Sequence, residues 1–142
     1  MTSSYKFVDH TADIAVEIKA DSIEELFVES AYAFKAAVVE PDKEKGGVSY
    51  NLKLNSHSLE ALLVNFLNEL NFRLISKKKI FNNNVNELKI HQKNDDYSLE
   101  CVLLEHDVDE DNIKTEIKSV TYHQMEIKKI NGTYSTKIIF DI

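Results

Sequence analysis

An α+β two-layer sandwich, with a mostly antiparallel or mixed sheet and two main helices on one face, is the fold that the sequence predicts. Three observations point to it. Two stretches in the first half carry capped, helix-spaced apolar residues, the second half turns to apolar alternation of period two, and only three glycines and one proline interrupt 142 residues. At that length a single domain spanning residues 1–142 is expected. Strand order does not follow from the pattern.

Tyr5-Lys6-Phe7-Val8 reads as a short strand, and Ile14 to Ala20 alternates as a second. Asp9-His10-Thr11-Ala12-Asp13 therefore falls between strands. Ser22 followed by Glu25 is a capping-box signature, after which Ile23, Phe27, Ala31, Phe34 and Val38 recur at helical spacing until Pro41. Gly46-Gly47 supplies a turn, and Val48, Tyr50, Leu52 and Leu54 alternate as a strand with one buried face. Ser58 can cap a second helix. Its apolar stripe is Leu59, Leu62, Leu63, Phe66, Leu67, Leu70 and Leu74, with Glu60, Asn68, Asn71 and Arg73 elsewhere on its surface. Lys77-Lys78-Lys79 reads as a solvated helix end favoured by the dipole. Beyond it, Val85 to His91, then Tyr97, Leu99, Cys101 and Leu103, then Ile113, Ile117 and onward alternate as antiparallel sheet. Asn131-Gly132 between Met125–Ile130 and Tyr134–Phe140 is a hairpin signal, because a type I′ turn needs positive φ at both central residues.

The balance of 24 acidic against 17 basic residues gives a net charge of -7. Such a surface repels a polyanion at long range, so direct nucleic-acid binding is not expected, whereas a basic protein surface would attract it. One cysteine, Cys101, excludes an intramolecular disulfide and a thiolate zinc cluster, and its phase with Leu99 and Leu103 makes it a small buried hydrophobe. No apolar signal segment or membrane-length span is visible, so a cytoplasmic protein with no membrane association is expected. Phosphate-cradling glycine loops, dinucleotide fingerprints and nucleophile elbows are also missing from the sequence.

The chemistry concentrates in two places, the Asp9 to Asp13 run and the final Asp141-Ile142. Aspartate carboxylates and main-chain oxygens are the hard donors that a divalent cation prefers, so a site built where these segments meet is one reading. The other is plainer. Aspartate before a turn accepts hydrogen bonds from its own backbone, and a last residue often frays. The alternation Ile138, Phe140, Ile142 speaks for a strand anchored to its last residue. His10 and His123 could complete a site or act as a base, but a lone histidine in a strand is more often a hydrogen-bonded structural residue. Asp107, Asp109 and Asp111 begin like a calcium loop. Asn112 stands where such a loop needs glycine and Lys118 where it needs glutamate, so this is an acidic turn.

Phe7 to Ile14, Leu59 to Leu70 and Ile117 to His123, with an aspartate-ended terminal strand, together resemble the archease family in order and spacing over Tyr5 to Ile142. That resemblance implies a non-catalytic helper of the RtcB-type RNA ligase of tRNA splicing, promoting guanylylation and multiple turnover with the help of a bound divalent metal. Carried over by position, it implies Asp13, Asp141 and the main-chain oxygens of Ile142 as ligands. Calcium is the ion expected first, with manganese or magnesium as alternatives. Asp9, His10, Lys118 and His123 belong to the same blocks without an assigned role. Two departures are visible: the lysine- and asparagine-rich stretch 76–112 matches nothing specific, and serine stands at 119 where alanine is common. Both are expected to lie clear of the ligands. A small metal-dependent hydrolase and a general chaperone or scaffold are the alternative functions.

Overall fold

The computed structural model describes residues 3–8, 13–41, 46–83, 85, 87–122 and 125–142. Its elements run β1 (Ser4–Val8), β2 (Asp13–Ala20), α1 (Ile23–Val38), β3 (Val48–Ser56), α2 (Leu59–Lys77), β4 (Lys79–Phe81), β5 (Lys89–Lys93), β6 (Asp96–Asp107), β7 (Ser119–Val120), β8 (Lys128–Ile130) and β9 (Thr133–Asp141). All the pairings among these strands are antiparallel, and the α+β expectation holds.

The strands form two sheets on one plan. In each, a long strand has a full-length neighbour on one side and two short ones on the other. β9 lies between β2 and the pair β7 and β8; β6 lies between β3 and the pair β4 and β5. β1 extends the first sheet beyond β2. The helices meet through Phe27 and Phe66, whose ring centroids are 6.0 Å apart, and Phe34 of α1 packs edge-on against Phe140 of β9 at 6.1 Å. One apolar cluster joins both helices to both sheets. Dispersion and burial therefore couple all four parts.

Both expected caps form. Ser22 Oγ accepts from the Glu25 N–H at 3.1 Å, and Ser58 Oγ from the Ala61 N–H at 3.0 Å, satisfying donors that a helix start otherwise leaves orphaned. The hairpin also forms as its sequence requires, with Asn131 at φ 53, Gly132 at φ 80, and Ile130 paired to Thr133.

Several local expectations differ. Val48 is 76% exposed: it opens β3 opposite Glu105, where α2 offers Arg73 instead of an aliphatic side chain. Val85 and Leu88 are buried, but the strand begins only at Lys89. Ile113 makes an isolated bridge to Val39, and Ile117 is buried outside any strand. There the backbone is committed elsewhere, since the Glu40 N–H donates to Asn112 O and the Lys114 N–H to Val38 O, both at 2.9 Å. The lysine run is more than a helix end. Lys78 caps α2 in the left-handed region at φ 55, and Lys79 enters β4 and pairs with Asp107. Gly47 matters for close approach, because a Cβ there would stand 2.8 Å from Glu105 O.

α2 and β6 also share an ion pair that periodicity does not reveal. Arg73 donates Nε and Nη2 to the two Glu105 oxygens, and its guanidinium lies 3.7 Å from the Tyr50 ring centroid. Glu105 is buried, so losing its partner leaves a charge without water. Arg73→Ala is expected to lower unfolding free energy by about 3 kcal/mol, whereas Arg73→Met with Glu105→Leu stays within about 1 kcal/mol of the parent. Urea denaturation of both variants measures this.

Cys101 is buried, and desolvation pushes its thiol up to about 12. The reactive thiolate is thereby suppressed at neutral and mildly alkaline pH. At pH 8 the folded chain should react with iodoacetamide at least about tenfold more slowly than the urea-unfolded chain, as read by mass spectrometry.

Candidate metal centre

Asp13 and Asp141 stand directly opposite each other on neighbouring strands. Eight residue pairs link β2 to β9, from Asp13↔Asp141 to Ala20↔Tyr134. Burial sets that register. Val16, Ile18 and Ala20 of β2 and Ile138 and Phe140 of β9 are all buried, and slipping either strand by one residue would turn its apolar set toward solvent. Side chains alternate across a strand, so fixing these on the core face sends Asp13 and Asp141 to the opposite face. Directly opposed Cβ atoms lie about 4.5–5.5 Å apart.

The third strand completes the row. Ser119 of β7 pairs with Asp141 from the other side, and the Lys118 N–H donates to Asp141 O at 2.8 Å. Ser119 therefore flanks a proposed ligand, contrary to the expectation that this departure lies clear of the site. Residues 9–12 join Val8 to Asp13 along the chain; the expectations placed on Asp9 and His10, and on His123, lie outside the described residues.

β7 is only two residues long, and helix α2 is what holds its segment. Asn68 Oδ1 accepts from the Val120 N–H at 2.9 Å, Asn71 Nδ2 donates to Ile117 O at 2.7 Å, and Glu60 Oε2 accepts from the Ile127 N–H at 3.0 Å. Sequence reading had assigned these side chains to the helix surface away from its apolar stripe. Instead Asn71 is buried, and the group forms a polar strip that fastens the backbone at Ile117, Val120 and Ile127. One signal for it existed: at 3.6 residues per turn, positions 60, 68 and 71 fall within an arc of roughly 80°.

Chemically, two carboxylates opposed across a sheet repel unless a positive charge is shared between them. A cation meets that condition, and hard oxygen donors suit calcium, magnesium or manganese. Asp13 is partly buried and Asp141 exposed, which leaves the pair open to water and to a partner's ligands. Among the described residues no three His, Cys, Asp or Glu side chains gather into a metal cluster. Main-chain oxygens beside the carboxylates are the further donors that the described residues offer a cation. Ile142 lies next to Asp141 but follows the end of β9 and is 42% exposed, so strand burial stops at Phe140 and not at the last residue. The donor set fits an oxygen-ligated ion with an incomplete protein shell.

A model of the Archease protein family matches residues 5–142. The chain belongs to the archease family. It is 32% identical to the archease of Methanosarcina barkeri over 97% of this chain and 95% of that one, and 29% identical to the archease of Pyrococcus furiosus over 97% and 98%. The solution structure of protein 1598 of Methanobacterium thermoautotrophicum shares the fold with a TM-score of 0.80 at 24% identity, covering 97% of this chain and 98% of that one. A crystal structure from Thermotoga maritima, described as an archease and possible chaperone, superposes with a TM-score of 0.59 at 24% identity, covering 96% of each. The fold shared with these two structures spans 96–97% of this chain.

If the polar strip of α2 holds the β7 segment in place, Asn68→Ala leaves the Val120 N–H without its acceptor. The expected cost is about 1–2 kcal/mol in thermal or urea unfolding, with faster amide exchange at residues 118–121 than at β2. Equal protection of both regions in the variant would show that the strip is dispensable.

Proposed function

We propose that this archease-family chain is a non-catalytic, cytoplasmic activator of an RtcB-type RNA ligase in tRNA splicing, promoting the ligase's guanylylation and multiple turnover. A divalent ion, calcium first among the candidates, is held by Asp13, Asp141 and the main-chain oxygens of Ile142. The observation that carries this reading is the direct cross-strand pairing of the two aspartates. When bound, the ion supplies a compact positive charge with positions left for a partner's oxygen ligands.

The chain's own residues do the rest. β2 and β9 hold the carboxylates at fixed separation, Lys118 anchors the Asp141 carbonyl, and the exposure of Asp141 lets a partner approach. An acidic chain of net charge -7 would be drawn to a basic RNA-handling enzyme. The exposed position of Asp141 at a strand end suits a docked partner better than an enclosed hydrolase pocket.

The test is ligase guanylylation with GTP and manganese, with and without this protein. The parent should stimulate nucleotide transfer, while Asp13→Ala and Asp141→Ala should each weaken calcium binding by about tenfold or more in calorimetry and abolish stimulation, without loss of thermal stability. Removing Ile142 should reduce both. Unchanged transfer on adding the parent would sink the activator reading, and full stimulation by Asp13→Ala would favour a chaperone or scaffold.

A further inference from the structure

A second candidate site lies apart from the aspartate pair. A cavity of about 490 Å³ opens where the C-terminal half of α1 meets β4, the end of β6 and the edge strand β1. That volume falls within the range of small-molecule sites. Its walls are tied to one another. Tyr32 Oη donates to Asn83 O at 3.1 Å, Lys35 Nζ donates to Phe81 O at 2.7 Å and to Asn83 Oδ1 at 3.1 Å, and His106 Nδ1 lies 2.7 Å from Asn82 Oδ1. The far wall, residues 112–114, is zipped to the end of α1 through the Asn112 and Val38 carbonyls. Walls cross-linked in this way need little reordering to receive a ligand.

The chemistry of the lining is divided. Tyr5 and Tyr32 present rings, and Val39, Ile80 and Val108 present aliphatic surface, which suits a flat apolar body. Lys35 and Lys114 bring donors and positive charge, and His106 a ring that can donate or accept. Of the two acidic residues in the lining, Asp107 is engaged by Lys79, which holds its carboxyl below the usual range, so that Lys35 and Lys114 stand against Glu40 alone. The balance favours an anion, in a molecule whose overall charge is negative.

We propose that this cavity binds a small planar ring compound carrying one anionic group, the ring against Tyr5, Tyr32 and Ile80 and the anion toward Lys35 and Lys114. A nucleoside monophosphate and an aromatic carboxylate both have this chemistry. Adenosine monophosphate and indole-3-acetate are therefore titrated separately into the full chain, with amide resonances followed by NMR. Adenosine, indole and inorganic phosphate serve as controls. At least one anionic ring compound should give saturable shifts at residues 35–40, 80–83 and 106–114, with its neutral counterpart about tenfold weaker or more. Lys114→Glu, at an exposed position, should weaken binding by a similar factor, and Ala36→Phe should block it by filling the space. The proposal is overturned if neither compound produces saturable shifts at millimolar concentration, if inorganic phosphate reproduces them, or if both variants bind as the parent does.

Discussion

The alignment of β2 with β9 is the constraint on which the rest depends. Three buried apolar residues of β2 and two of β9 share one face, beneath a helix that meets them through the Phe34 and Phe140 rings. Side chains that alternate with period two leave no intermediate setting: a strand is in phase with the core or wholly out of it. Apolar burial, which has no chemical specificity of its own, thereby sets two carboxylates against each other on the opposite face. A cross-strand pair of like charge would ordinarily be disfavoured. Here the core dictates it.

Helix α2 has two functions in the same architecture. Leu62, Leu63, Phe66, Leu67, Leu70 and Leu74 belong to the common core, while its polar side grips the backbone at Ile117, Val120 and Ile127. Two-residue strands contribute little independent stability. Hydrogen bonds from a rigid helix to the backbone at 117, 120 and 127 substitute for the missing ladder, and the same stretch supplies the N–H that anchors the Asp141 carbonyl. Helix and centre are therefore linked through main-chain atoms.

Both sheets use a long central strand flanked by one full-length and two short partners, yet they are put to different uses. The first places two carboxylates opposite each other at a strand end. In the second, Glu105 and Arg73 turn charge inward beside Tyr50, and β6 ends at the mouth of the enclosed cavity. A buried pair of this kind specifies a contact more than it adds stability.

Much of the architecture was legible in the sequence because it rests on local rules. Ser22 and Ser58 fix helix starts, period 3.6 and period two separate helix from strand, and Asn131-Gly132 dictates a tight hairpin whatever surrounds it. Asp13 and Asp141 stood out by residue type, and the family resemblance by the order of its blocks. What local rules cannot supply is which strand lies beside which. The division into two sheets, the approach of Ser119 to Asp141, the conversion of Asn68 and Asn71 from surface residues to clamps, and the exposure of Val48 and Ile142 all follow from long-range pairing. The sequence by itself determined which segments become helix or strand and which side chains carry the chemistry. Only the tertiary structure decided which of those side chains meet, because burying the core selects a strand order and register that residues more than a hundred positions apart cannot encode locally.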